Sequence, residues 1–260
     1  MIEAVRGVSF SLGRERLGIV GESGSGKSQT GRAIMGLSAS GAQVTADALN
    51  FAGSDLLKIS EVERRVLRGS RIAMILQDPK YSLNPVMRIG AQIIETLRTH
   101  RRVSADEALQ RMLASLAEVG IEDPKRVAGL YPHEVSGGMG QRVMIAMMLI
   151  ANPDLLIADE PTSALDVTVQ HQVLAIMDDL VRRRGMGLIL ISHNLHLVSA
   201  FCDRVLVMYA GRVVETCVAS QLATARHPYT RGLLASLPEL GRRRTELPQL
   251  QRDPAWASAS

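Results

Sequence analysis

The chain has 260 residues, 46% of them apolar, which is enough to bury a core in one compact domain or in a domain carrying a sizeable insertion, so disorder is not the default. Its 30 basic and 26 acidic residues leave a formal charge of +4, too slight without a clustered patch to imply a nucleic-acid partner. The longest apolar run, Val143 to Ala151, falls far short of the roughly 20 residues that span a bilayer, and the start Met1 to Arg6 has no apolar signal segment, so the expected compartment is the cytoplasm.

In chain order, Leu17-Gly18-Ile19-Val20 reads as a buried strand that opens at Gly21 into a glycine-rich loop. The run from Val44 to Phe51 alternates weakly, which predicts a strand of a small antiparallel sheet. Ile72-Ala73-Met74-Ile75 is a second buried strand, followed by Gln77. Between Gln77 and Leu155 the strand pattern gives way to helices. Ile89 to Leu97 has helical spacing, and Ser104-Ala105-Asp106-Glu107 starts a helix that runs to about Val119 and stops at Gly120. Strands return with Leu155-Leu156-Ile157-Ala158, ending in Asp159 and Glu160, and with Leu188-Ile189-Leu190-Ile191, ending in Ser192 and His193. Val205 to Met208 and Val213-Val214 flank Gly211 as a hairpin. Cys202 and Cys217 stand outside any C-x-x-C pair, which argues against a disulfide framework and against a zinc or iron–sulfur site. Arg242-Arg243-Arg244, set among Pro238, Pro248 and Pro254, reads as a solvated tail rather than a patch for anionic lipid.

Apolar strands alternating with amphipathic helices predict an α/β fold, a parallel sheet with crossover connections into which a helical segment is inserted. Ligands of such sheets bind beyond the carboxyl ends of the strands. Four of these ends carry polar groups of special type: Gly21, Gln77, the pair Asp159-Glu160, and Ser192-His193.

Gly21-Glu22-Ser23-Gly24-Ser25-Gly26-Lys27-Ser28 fits G-x-x-x-x-G-K-[ST] after a strand and before a helix, the context that this motif requires. Loops of this kind wrap phosphates in backbone N–H groups, so Gly21, Ser23, Gly24, Ser25 and Gly26 line the phosphate site. Lys27 neutralises phosphate charge, and Ser28 offers an oxygen to magnesium. Asp159 suits the magnesium shell, and Glu160 suits orienting or deprotonating the attacking water. Ser136-Gly137-Gly138 precedes the apolar helical run Val143 to Ile150, so small residues expose helix N-terminal amides to an anion. His193 ends an apolar strand where it can bond a γ-phosphate oxygen, whereas His100, His133, His171 and His196 carry no such context.

Taken with Val135-Ser136-Gly137-Gly138-Met139, these motifs make the chain resemble the ATPase subunits of ABC transporters, in the family's order and over nearly the whole length. The resemblance implies a P-loop NTPase (RecA-like) core with a small antiparallel β subdomain and an inserted α-helical subdomain. Its expected divisions are residues 1–86 (first core part), 87–151 (helical subdomain), 152–225 (second core part) and 226–260 (C-terminal tail). It implies ATP and Mg2+ as ligands, Glu160, His193 and Gln77 as catalytic residues, and Ser28, Gln77 and Asp159 at the metal. Ser163-Ala164-Leu165-Asp166 corresponds to the family's D-loop. Two cassettes are implied to pair head to tail, so that Ser136, Gly137 and Gly138 of one meet the γ-phosphate held by the other.

Within the family, Gln77-Asp78-Pro79, Ser82-Leu83-Asn84-Pro85, Ile89-Gly90 and Gln92 resemble the branch that imports oligopeptides, dipeptides or nickel, as does His227-Pro228-Tyr229-Thr230 with Leu233-Leu234. The expected partners are membrane permease subunits, a second cassette and, indirectly, a periplasmic solute-binding protein, with no nucleic acid. The expected place is the cytoplasmic face of the inner membrane. Rival readings are a soluble ABC ATPase of DNA repair or translation, and a non-catalytic partner cassette; Glu160 and His193 both argue against the second. Met139 and Gly140 stand where many members have glutamine and a basic residue, and the cysteine-containing C-terminal extension of peptide importers has no counterpart, which nudges the reading towards nickel-like or shortened peptide-type members. The stretch before Leu17 is too short for the family's first strand and adenine-stacking aromatic, and Phe10 reads as a buried strand residue. Loss of a stack worth about 1–3 kcal/mol predicts roughly tenfold weaker nucleotide binding.

Overall fold

The computed structural model describes residues 2–76, 82–236, 253 and 256. In chain order its elements are β1 (Arg16–Val20), α1 (Lys27–Met35), β2 (Asn50–Phe51), β3 (Ser54–Asp55), α2 (Glu61–Ser70), β4 (Ile72–Ile75), α3 (Ile89–His100), α4 (Ala105–Glu118) and α5 (Pro124–Ala128), then α6 (Gly137–Leu149), β5 (Leu155–Asp159), α7 (Val167–Arg184), β6 (Gly187–Ser192), α8 (Leu195–Phe201), β7 (Arg204–Tyr209), β8 (Arg212–Val218) and α9 (Pro228–Ala235). The chain forms two compact units, one of Met1–Ala46 with Ile189–Ser260 and one of Asp47–Leu188.

In the first unit β1 runs parallel to β7, with Leu17 opposite Arg204 and Val20 opposite Val207, and β8 returns antiparallel to β7. Leu17, Ile19, Val20, Val205, Leu206, Val207 and Met208 are all buried, the unbroken apolar reading of strands covered on both faces. Helix α8 lies so close to β1 that a Cβ on Gly18 would sit 2.1 Å from the Val198 side chain, and this is why a glycine interrupts an otherwise branched strand. The Arg16 guanidinium meets the Asp203 carboxylate at 2.5 Å, tying the start of β1 to the start of β7. Phe10 departs from expectation. It is half-buried and lies outside any strand, in a segment where Gly7, at φ 66°, and Gly13 interrupt the two-residue alternation.

In the second unit β4 and β5 pair in parallel, Ile72 with Leu155 through Ile75 with Ala158. The small antiparallel sheet is present but shorter than Val44 to Phe51: only Asn50–Phe51 pairs, with Ser54–Asp55. Its turn, Ala52-Gly53, has φ of 48° and 84°, the doubly positive geometry of a two-residue hairpin, whereas Asp47 and Ala48 upstream supply none of the β-branched residues that sustain a strand. The helices expected at Ile89 to Leu97 and from Ser104 to about Val119 are present as α3 and α4. Ser104 accepts from the Glu107 N–H at 3.1 Å to open α4, and Gly120, at φ 75°, follows its end. Helix α6 is buried along most of its length, with Val143, Met144, Ile145 and Leu149 at 1% exposure or less. No helix among the described residues is long and apolar enough to cross a membrane.

Candidate functional site

In the first unit β1 delivers the chain into Gly21, and α1 begins at Lys27, so the glycine loop spans a strand end and a helix start as its motif demands. Its glycines are required by the backbone. Gly21, Gly24 and Gly26 hold φ of 151°, 82° and 99°, and a Cβ on Gly21 or Gly26 would lie 2.1 Å from the Met208 carbonyl oxygen or 2.5 Å from that of Ala4. Gly26 occupies the N-cap position of α1 with no side-chain cap, so no side chain of the cap competes for the first amides of that helix.

Lys27 is 5% exposed, and its ammonium donates to the carbonyls of Gly21 at 2.8 Å and Glu22 at 2.7 Å, with Ser25 Oγ at 3.4 Å. A buried cation is tolerable only where oxygens surround it, and here the loop's own backbone supplies them. Ser25 is buried and Ser28 half-buried, while Ser23 and Gly24 face solvent. The loop is braced on the outside: the Gly211 N–H donates to the Ser25 carbonyl at 3.0 Å, and the Glu22 N–H donates to the hydroxyl of Tyr229 at 3.0 Å. His193 is exposed at the carboxyl end of β6, and Asn194 behind it caps α8 by accepting from the Leu197 N–H at 3.1 Å.

In the second unit Asp159 is the buried last residue of β5, and Glu160 follows at φ 48°, a left-handed conformation that a non-glycine residue adopts at a cost. The turn after it is held by Ser163, whose N–H and hydroxyl both reach the Glu160 carbonyl, at 3.3 and 3.2 Å. Asp166 accepts from the Val169 N–H at 3.0 Å and so caps α7, a role its sequence string did not announce. Ser136 is the N-cap of α6 and accepts from the Met139 N–H at 3.3 Å. Gly138 faces α7 so closely that a Cβ would lie 2.6 Å from Val169, whereas one on Gly137 would meet only Leu165, at 3.8 Å. Gln77 lies outside the described residues, as do Asp78, Pro79 and the arginines 242–244.

The structure therefore gathers Gly21 to Ser28 into a preformed loop, and it sets Asp159 with Glu160, Ser136 with Gly138, and His193 each at the end of its predicted element. Sequence reasoning missed Tyr229. The string His227-Pro228-Tyr229-Thr230 showed a helix start, and it does start α9 with His227 at the N-cap and Pro228 in the first turn. A buried hydroxyl 207 positions away from its partner leaves no local pattern to read.

The sequence profile described as ABC transporter matches residues 5–163. Among curated proteins the chain is 49% identical over 249 residues to the dipeptide transport ATP-binding protein DppD of Escherichia coli (strain K12), covering 95% of this chain and 76% of that one. It is 50% identical over 242 residues to the oligopeptide transport ATP-binding protein OppD of Bacillus subtilis (strain 168), covering 92% and 68%. Among solved structures, a dimeric ATP-binding cassette in a post-hydrolysis state, bound to ADP and Pi, superposes with a TM-score of 0.74 at 26% identity, over 84% of this chain and 91% of that one.

Proposed function

The chain belongs to the ABC transporter family, and from that premise we propose that it is the ATP-binding and ATP-hydrolysing subunit of a bacterial importer of dipeptides or oligopeptides. The observation that carries this reading is the glycine loop: positive-φ glycines, a helix start with no side-chain cap, and a buried lysine resting on carbonyls until phosphate oxygens replace them. Gly21, Ser23, Gly24, Ser25, Gly26 and Lys27 hold the phosphates of ATP.

The donors suited to Mg2+ are hard oxygens, the Ser28 hydroxyl and the Asp159 carboxylate, with Gln77 completing the set. When bound, the metal neutralises phosphate charge. Glu160, held at φ 48° just beyond β5, orients the attacking water and accepts its proton. His193 bonds a γ-phosphate oxygen. Ser136, Gly137 and Gly138 present the start of α6 to ATP held by a second cassette, so that binding closes a pair and hydrolysis releases it. The transported solute never touches this chain. Permease subunits and an external solute-binding protein select it, and the cassette works against them from the cytoplasmic face of the inner membrane.

The test is reconstitution of the chain with its permease subunits and solute-binding protein in liposomes loaded with ATP. Labelled dipeptide or oligopeptide should accumulate, and Glu160→Gln should stop accumulation while retaining ATP binding. Accumulation of nickel without peptide would correct the solute class, and ATP hydrolysis indifferent to the permeases would overturn the import reading.

A further inference from the structure

We propose that Tyr229 is a positioning residue for the phosphate loop: its buried hydroxyl fixes the peptide of Glu22, from which Lys27 is held. The inference rests on the ATP-binding reading above and extends it to the C-terminal segment. Tyr229 is fully buried, and its ring packs against Tyr209 with centroids 4.6 Å apart and against Trp256 at 5.9 Å. Its hydroxyl accepts the Glu22 N–H at 3.0 Å. At the other side of the same residue, the Glu22 carbonyl accepts both the Lys27 ammonium at 2.7 Å and the Ser25 N–H at 3.2 Å. Glu22 is thus gripped at both ends, by an aromatic anchor outside the loop and by the loop's own cation and amide within it.

The anchor is itself held in place. The Glu215 carboxylate of β8 accepts from the backbone N–H of Arg226 at 2.7 Å and of His227 at 3.3 Å, fixing the entry to α9. His227 Nδ1 accepts from the Tyr229 N–H at 3.2 Å, and the His227 ring stands 5.9 Å from that of Trp256. All these groups belong to one compact unit. The physical effect is preorganisation. A loop built from glycines has many accessible conformations, and nucleotide affinity falls in proportion to the fraction of molecules whose loop is ready to bind. A hydroxyl that restrains one peptide raises that fraction without touching the ligand.

The experiment compares the full-length wild type with Tyr229→Phe, which keeps the ring and removes only the oxygen. Calorimetric titration with MgATP should show three- to tenfold weaker binding by the variant. Hydrogen–deuterium exchange of peptides covering residues 17–28 should be faster, with the thermal midpoint of the nucleotide-free protein moved little. A merely structural tyrosine would instead lower the midpoint and leave the affinity of the folded fraction alone, and that result overturns the inference. If Tyr229→Phe does not fold, Trp256→Ala relaxes the same ring from one side. It should weaken MgATP binding about twofold, and unchanged affinity would count equally against the proposal. Failure of the wild type to bind MgATP would refute the ATP-binding reading, and this inference with it. Normal wild-type binding that Tyr229→Phe leaves unchanged would refute the inference alone.

Discussion

Two glycine-rich turns each open a helix, and they use glycine for opposite reasons. Before α1 the glycines are demanded by the backbone: Gly21, Gly24 and Gly26 all have positive φ, and no side chain caps the helix they introduce. Before α6 the backbone is ordinary. There Ser136 caps the helix by accepting from Met139, and the glycines matter for the side chains they lack, Gly138 because Val169 lies 2.6 Å from where its Cβ would be. The first turn is shaped to receive an anion unaided. The second is closed by its own serine, whose hydroxyl oxygen already takes the Met139 N–H.

The contrast is broken or sharpened by substitution. The largest effect belongs to the strained acid beyond β5: Glu160→Gln should slow hydrolysis by roughly 10²–10⁴-fold, the scale for losing a positioned acid–base group, while ATP binding persists. Turnover by the assembled transporter measures it, and a near-normal rate would remove Glu160 from its role. Next comes Gly138→Ala, whose methyl group has no room against Val169; overpacking of this kind costs about 1–3 kcal/mol, readable as a lower denaturation midpoint. Gly137→Ala, with Leu165 no nearer than 3.8 Å, should leave that midpoint unchanged, which makes it the control. Ser136→Ala should cost about 1 kcal/mol as a lost N-cap, and equal stability would show that the hydroxyl is not capping α6.

The smallest effect is one of pH, on the loop's side of the comparison. Burial works against the charge of Glu215, but the Thr230 hydroxyl, the N–H groups of Arg226 and His227 and the charge of His227 outweigh it, leaving the carboxyl below its ordinary 4.5. A depressed carboxyl contributes stability that is present above that value and is lost as pH falls through the lower, folded one. The gap in thermal midpoint between wild type and Glu215→Gln should therefore be constant near neutrality and close in acid. A gap unaffected by acid would mean the charge contributes nothing to the entry of α9.

Most of the fold was legible because its signals are local. Leu17 to Val20, Ile72 to Ile75, Leu155 to Ala158 and Leu188 to Ile191 are apolar runs ended by special residues, and each is a strand. The loop from Gly21 to Ser28 was legible as a glycine turn between a strand and a helix because its motif fixes residue types at fixed spacing. Shorter or longer-range features were not. Val44 to Phe51 promised more strand than Asn50–Phe51 delivers, since weak alternation does not reveal where pairing stops. Phe10 looked like strand, yet two glycines near it dissolve the period. The Tyr229 hydroxyl accepts from Glu22, a residue near the other end of the chain, and only the fold brings that pair together.

The measurement that bears most directly on the account is calorimetric titration of MgATP into the full chain and into Lys27→Ala. Hydrogen bonds to a charged group are worth about 1.5–3 kcal/mol, so removing the ammonium should weaken binding about 10- to 100-fold. The variant should fold normally, because the ammonium's bonds to Gly21, Glu22 and Ser25 lie within the loop that the side chain serves. Undiminished ATP binding by a folded Lys27→Ala chain would contradict the assignment of this loop as the phosphate site.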